Sequence, residues 1–255
     1  MSELLIAKGL QKVYGRKGNA YTAIQSIDLT VGKGEFVGIM GPSGSGKTTL
    51  LNTLSTIDRP TSGSVTINGT DVVQMNEQDL ATFRRERLGF IFQDYNLLDT
   101  LSVEENIALP LALAKVNPDE IDDRVHHIAA KLGLEEILNK FPYEISGGQQ
   151  QRTAAARAIV VRPDLIFADE PTGALDSKSA TALLQMMTQI NDEETATILM
   201  VTHDAFSASY CHRILFIKDG EIFTELDRGH LTRKVYFQKI LDVLSALGGG
   251  QSDII

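Results

Sequence analysis

The stretch from Gly41 to Thr48, Gly-Pro-Ser-Gly-Ser-Gly-Lys-Thr, constrains this chain most: it fits the pattern G-x-x-x-x-G-K-[S/T] at every fixed position. Before it runs Glu35-Phe-Val-Gly-Ile-Met40, a short apolar run of strand type. After it Leu50, Leu51, Leu54 and Ile57 recur at helical spacing, which predicts a helix over 48–57. Strand, glycine loop and helix is the order that a phosphate-binding loop needs. Gly41, Gly44 and Gly46 can turn where a residue with a Cβ cannot, so successive N–H groups can converge on an anion. The helix N-terminus adds its partial positive charge. Lys47 can reach the outer phosphates of a nucleotide, and the Thr48 hydroxyl can bind the Mg²⁺ that bridges them. Pro42, Ser43, Ser45 and Thr49 complete the candidate set, and the expectation is an α/β ATPase.

A length of 255 residues suffices for one large domain or two lobes, and 43% hydrophobic with 22% charged residues is an ordinary globular composition. The net charge of −9, with Lys and Arg scattered, argues against a nucleic-acid partner. Cys211 is the single cysteine, so no internal disulfide is possible and a reducing compartment is expected; it reads as a small buried residue without chemistry. No signal-peptide pattern opens the chain and no apolar run approaches the roughly 20 residues of a membrane span. The expectation is a cytoplasmic protein whose membrane role comes through a partner.

Strands are expected at Leu4–Ala7, Ala23–Val31 and Ser64–Gly69, with turns at Gly32–Gly34 and Pro60–Gly63. Tyr14, expected between the first two strands, has two open readings: a sheet-surface tyrosine, or a platform for an adenine ring. Phe83–Arg87 reads as a charged helical face leading into a strand, Leu88–Phe92, that ends at Gln93. From Ser102 to Leu138 the pattern is mostly helical: Ser102-Val-Glu-Glu105 is a capping box, Pro118 suits a first turn and Gly133 a helix end. This predicts a helical lobe, about 94–160, inserted into a sheet-based core.

Ser146 and Gln149 form a second capping box, ahead of a strong helix former over 150–160. The sharper reading is that Gly147 and Gly148 at a helix start make a second anion site. Asp164–Glu170 is an apolar strand ending in two carboxylates, the form of a buried parallel strand whose end faces a ligand crevice. There Asp169 would hold the magnesium, and Glu170 would deprotonate the attacking water. Helix 179–190 follows, then a strand, Thr197–His203, ending at His203. Ile214–Ile222 reads as a hairpin around Asp219-Gly220. The last helix sets Val235, Phe237, Ile240, Leu241, Leu244 and Leu247 near one face and stops at Gly248–Gly250.

Together these motifs resemble the ATP-binding subunit of an ABC transporter over nearly the whole chain. The phosphate loop matches Gly41–Thr48 and the glutamine loop Gln93; the signature matches Ile145–Gln149, with isoleucine where leucine is commoner. The magnesium aspartate and catalytic glutamate match Asp169 and Glu170, the D-loop Ala174-Leu175-Asp176, and the switch histidine His203. Tyr14 fits the aromatic that stacks on adenine. The resemblance implies a P-loop ABC ATPase fold over 1–232, with a RecA-like core, an antiparallel β subdomain and the inserted helical lobe; 233–255 would be a C-terminal amphipathic extension.

It also implies a head-to-tail dimer of two copies around ATP and Mg²⁺, Ser146, Gly147, Gly148 and Gln149 of one facing the phosphates held by the other. Gln93 would sense the γ-phosphate, contribute to the metal site with Thr48 and Asp169, and link to a membrane permease subunit. His203 would steady the γ-phosphate and the water. Gly89–Leu98, Glu170–Asp176 and the glycine tail resemble Bce-type antimicrobial-peptide resistance ATPases, within the group of macrolide, lipoprotein-release and cell-division systems. That implies a large permease with an extracellular domain, which would hold this chain at the cytoplasmic face of the membrane, protection against bacitracin-like or lantibiotic peptides, and often a sensor histidine kinase. The alternatives are another member of that group, or a soluble ABC ATPase with no transporter.

Overall fold

The computed structural model describes residues 2–15 and 18–248. In chain order they form β1 (Glu3–Tyr14), β2 (Tyr21–Gly32), β3 (Phe36–Met40), α1 (Lys47–Leu54), β4 (Ser62–Ile67), β5 (Thr70–Asp71), α2 (Glu77–Arg87), β6 (Leu88–Phe92), α3 (Val103–Leu113) and α4 (Pro118–Leu132). Short 3-10 turns lie at Glu135–Ile137 and Pro142–Glu144. Then come α5 (Gly147–Ile159), β7 (Leu165–Asp169), α6 (Ser177–Glu194), β8 (Thr197–Val201), α7 (Ala205–Ala208), β9 (Arg213–Lys218), β10 (Glu221–Asp227) and α8 (Arg233–Gly248). The chain divides into two compact units, Met1–Met75 with Leu199–Ile255, and Asn76–Ile198.

The first unit holds an antiparallel sheet in the order β2-β1-β4-β5. It also holds β3, with β9 parallel on one side, β8 on the other, and β10 antiparallel to β9. Every residue of β3 is buried, as its unbroken apolar run requires. β1 runs beyond Ala7 to include Tyr14, because Gly9, with φ 54, marks an irregularity that breaks the apolar alternation without ending the pairing. β4 starts at Ser62 rather than Ser64. Gly63 lies within it, so close to β1 that a Cβ would stand 2.4 Å from the Gly9 carbonyl oxygen. α1 stops at Leu54, short of Ile57: Thr56 takes a left-handed φ of 64 and Ile57 is left exposed. β8 ends at Val201, two residues before His203. The β9–β10 hairpin turns on Asp219 and Gly220, both at positive φ, as a tight two-residue turn demands.

α8 packs on its own unit, against α7. The face differs from the expected one, since Tyr236, Ile240 and Leu247 are the buried residues and Val235 is exposed. Gly249 and Gly250 lie outside the described residues. In the second unit β6 and β7 pair in parallel, Leu88 with Leu165 through Phe92 with Asp169. α3 and α5 start with the expected capping boxes, Pro118 opens α4, and left-handed Gly133 closes it. α6 is longer than the expected 179–190, because the Asp176 side chain caps it at Ser177 and it continues to Glu194.

Candidate functional site

The glycine loop joins β3 to α1 in the first unit. Gly41 lies in it at φ 155 and Gly46 at φ 100; a Cβ on Gly41 would meet the Ile217 carbonyl oxygen at 2.1 Å, and on Gly46 that of Ala23 at 2.5 Å. Both positions are thereby closed to a side chain, while Gly44, at φ 77 with open space around it, needs only the conformation. Lys47 is buried and its Nζ donates to the carbonyl oxygens of Gly41 and Pro42, each at 2.9 Å. That folds the ammonium back over the loop. The Ser45 hydroxyl is buried with no hydrogen-bond partner among the described residues. A buried hydroxyl without a partner is costly, and a phosphate oxygen is one acceptor that would satisfy it. Pro42, Ser43, Gly44 and Thr48 are exposed, whereas Thr49 is half-buried.

Tyr14 closes β1 and is 40% exposed, its hydroxyl donating to Asp58 Oδ2 at 2.7 Å and the Lys12 ammonium lying 4.8 Å from its ring centroid. Burial and the Asp58 bond both raise the Tyr14 pKa. Burial would also raise the Asp58 carboxyl, yet the bonds from Lys12 and Tyr14 hold it below its ordinary value. His203 is exposed beyond β8; before it the Thr202 N–H donates to Ile39 O at 3.1 Å, and after it Asp204 caps α7.

In the second unit, the β6–β7 register ends on the pair Phe92–Asp169, so Gln93 and Glu170 each stand one residue past the last paired position. Glu170 takes a left-handed φ of 46, unusual for a non-glycine residue, and the Gly173 N–H returns to its carbonyl at 2.9 Å. Gly173 in turn leaves room for Gln93: a Cβ there would meet the Gln93 amide at 3.1 Å. The structure thus brings Gln93, which follows β6, beside Asp169 and Glu170 at the end of β7. Ser146, Gly147 and Gly148 open α5, where a Cβ on Gly147 would press on the Tyr95 hydroxyl at 2.9 Å and one on Gly148 on Ser179 Oγ at 2.7 Å. Close packing inside the unit is therefore one reason for these glycines. Gln149 completes the capping box, and the Asp176 carboxyl is held below its usual range by the Ser179 hydroxyl and by backbone N–H groups.

The pattern of the family described as ABC transporter matches residues 24–173. The chain is 53% identical over 250 residues to the bacitracin export ATP-binding protein BceA of Halalkalibacterium halodurans, covering 98% of this chain and 99% of that one. The chain belongs to the ABC transporter ATP-binding family. The ABC transporter ATP-binding protein YxdL of Bacillus subtilis is 52% identical over the whole chain and 98% of its own length. A dimeric, post-hydrolysis structure of the ATP-binding cassette MJ0796 bound to ADP and Pi superposes with a TM-score of 0.81 at 38% identity, over 88% of this chain and 98% of that one. The fold is accordingly that of an ABC ATPase, an ATP-binding enzyme.

Among the described residues, no group of three or more His, Cys, Asp and Glu could hold a metal, and no helix is long and apolar enough to cross a membrane. In the second unit the side-chain oxygens of Gln93 and Asp169, and in the first the Thr48 hydroxyl, are hard donors of the kind that Mg²⁺ takes. Two residues that the sequence reading passed over, Gln151 and Arg157, grip the Gln93 segment of this ABC ATPase from α5. The signal was available for Gln151, a polar residue on the same helical stripe as the buried Ala154, Ala155 and Ala158.

Proposed function

We propose that this ABC ATPase drives a separate permease from the cytoplasmic face of the membrane, in a system that protects the cell against bacitracin-like or lantibiotic peptides. The observation that carries the reading is identity of 53% along 98% of the chain to a protein named for bacitracin export. A groove of about 470 Å³ in the second unit supports a permease contact. It is lined by Leu88, Phe90 and Leu113, and Arg84, Arg85 and Arg157 contribute charge to its lining.

In this reading the N–H groups of 41–49 hold the nucleotide phosphates, Lys47 turns from the loop carbonyls to the outer phosphates, and Tyr14 stacks on the adenine. Thr48, Gln93 and Asp169 would hold Mg²⁺, which when bound would neutralise phosphate charge. Glu170 takes a proton from water, the water oxygen bonds to the γ-phosphorus, and the bond to the β–γ bridging oxygen breaks to release ADP. His203 stabilises the charge that develops on the γ-phosphate. Ser146, Gly147, Gly148 and Gln149 of a second copy complete the site, with Asp176 at the same interface, and a sensor histidine kinase joins through the permease.

The test is to tag the chain in its native cell, solubilise the membranes gently, identify the co-purifying proteins and challenge the cells with bacitracin. Recovery of a large permease, with resistance lost in Lys47→Ala and Glu170→Gln cells, is the expected result. Recovery only from the soluble fraction, or unchanged resistance in both variants, would overturn it.

A further inference from the structure

We infer that Gln151 is a positioning residue for hydrolysis, tying the backbone just before Gln93 and just after Glu170 to the helix that opens with Ser146, Gly147 and Gly148. Its side chain is fully buried, and its Nε2 donates to the Phe92 carbonyl at 3.2 Å and the Pro171 carbonyl at 2.7 Å. Phe92 immediately precedes Gln93, and Pro171 immediately follows Glu170. Since both neighbours are acceptors, only the nitrogen end of the amide can face them, which fixes its orientation.

The other end shows that packing alone does not explain the residue. Gln151 Oε1 is buried with no hydrogen-bond partner among the described residues. An apolar side chain of similar length would fill the same space without stranding an acceptor, so what the amide adds is its grip on two carbonyls. Six residues further along α5, the Arg157 guanidinium donates to the carbonyls of Tyr95 at 2.9 Å and Asn96 at 2.5 Å, two residues held at left-handed φ of 59 and 50. One helix thereby holds the segment 92–96 at both ends and, through Gln151, the turn after Glu170. A displacement at the α5 N-terminus therefore reaches Gln93 and Glu170 through the Gln151 amide.

The inference rests on the proposed base role of Glu170, so Glu170→Gln is assayed beside the new variants in steady-state ATP hydrolysis by the full chain. For Gln151→Met, kcat is expected to fall by at least about ten-fold while KM for ATP stays within about two-fold and the melting temperature within a few degrees. Full activity of Gln151→Met beside an inactive Glu170→Gln overturns the positioning role and leaves the base. Undiminished activity of Glu170→Gln overturns both.

If Gln151→Met does not fold, Gln151→Glu decides. Its ionised carboxylate has no proton to donate to two carbonyls, whereas the protonated acid has one, and burial raises the pKa of such a carboxyl. The activity of Gln151→Glu relative to the parent, normalised to the folded fraction by circular dichroism, should rise at least about three-fold from about pH 8.5 to about pH 6. A flat ratio overturns the inference, since loss of packing alone would not restore activity with a proton.

Discussion

Tyr236 shows how much one hydroxyl can decide. It is fully buried, and its hydroxyl donates to the Leu226 carbonyl at 2.7 Å, anchoring α8 to the strand before it. Burial pushes the phenol above its ordinary 10.0, and the neighbouring Cys211 and Asp227 add in the same direction. With the folded pKa raised, the unfolded chain ionises first. The contribution is complete below about pH 10 and is lost as pH rises through and beyond that value. Tyr236→Phe should therefore cost about 1 kcal/mol at neutral pH through the lost bond, a drop of about 2–4 °C in Tm. The gap should narrow at about pH 10.5, because phenylalanine has no proton to lose. Calorimetry at the two pH values checks this; a gap that does not narrow would mean that the phenol ionises as readily folded as unfolded. The helical face read from Val235, Phe237 and Leu241 missed this anchor, because a tyrosine counts as apolar only where its hydroxyl finds a buried acceptor.

At the scale of elements, regular structure and the tight turn at Asp219-Gly220 were legible, and the longer loop after β6 was not. The strand before the glycine loop, both capping boxes, and the helix limits at Pro118 and Gly133 follow from local chemistry that a sequence displays directly. The candidate carboxylates were legible for a similar reason, as the polar end of an apolar strand. The segment between β6 and α3 carries no such pattern, and its conformation is imposed from outside. Asn106, buried in α3, accepts from Leu98 N–H at 2.8 Å and donates to the carbonyls of Leu98, Leu101 and Ser102 at 2.9 to 3.0 Å. No periodicity marks an asparagine as the organiser of a loop eight residues upstream. Asn106→Ala strands those groups together, and a loss of about 3 kcal/mol is expected in denaturant unfolding. Amide exchange in 94–101 should accelerate more than in α3 itself. Uniform protection across both would show that the loop holds its shape without the asparagine.

For the whole molecule, the informative residue is one with no expected chemistry. Cys211 is the chain's single cysteine, it is fully buried, and a Cβ on Gly38 would stand 3.0 Å from its sulfur. Burial pushes its thiol far above the ordinary range. A thiol reagent attacks the thiolate, so labelling waits for the fold to open. Where that opening is global, the labelling rate measures the free energy of unfolding, and any ligand that binds only the folded chain slows it. ATP with Mg²⁺ at a hundred times its Kd contributes about 2.7 kcal/mol, which corresponds to about hundred-fold slower labelling. Lys47→Ala, without the ammonium proposed to reach the outer phosphates, should label at one rate with or without nucleotide. Fast labelling of the parent that ignores ATP would instead locate the opening in the α7–β9 connection, leaving the nucleotide loop intact while the cysteine is exposed. The two outcomes separate a fold that opens as a whole from one that loosens next to β9.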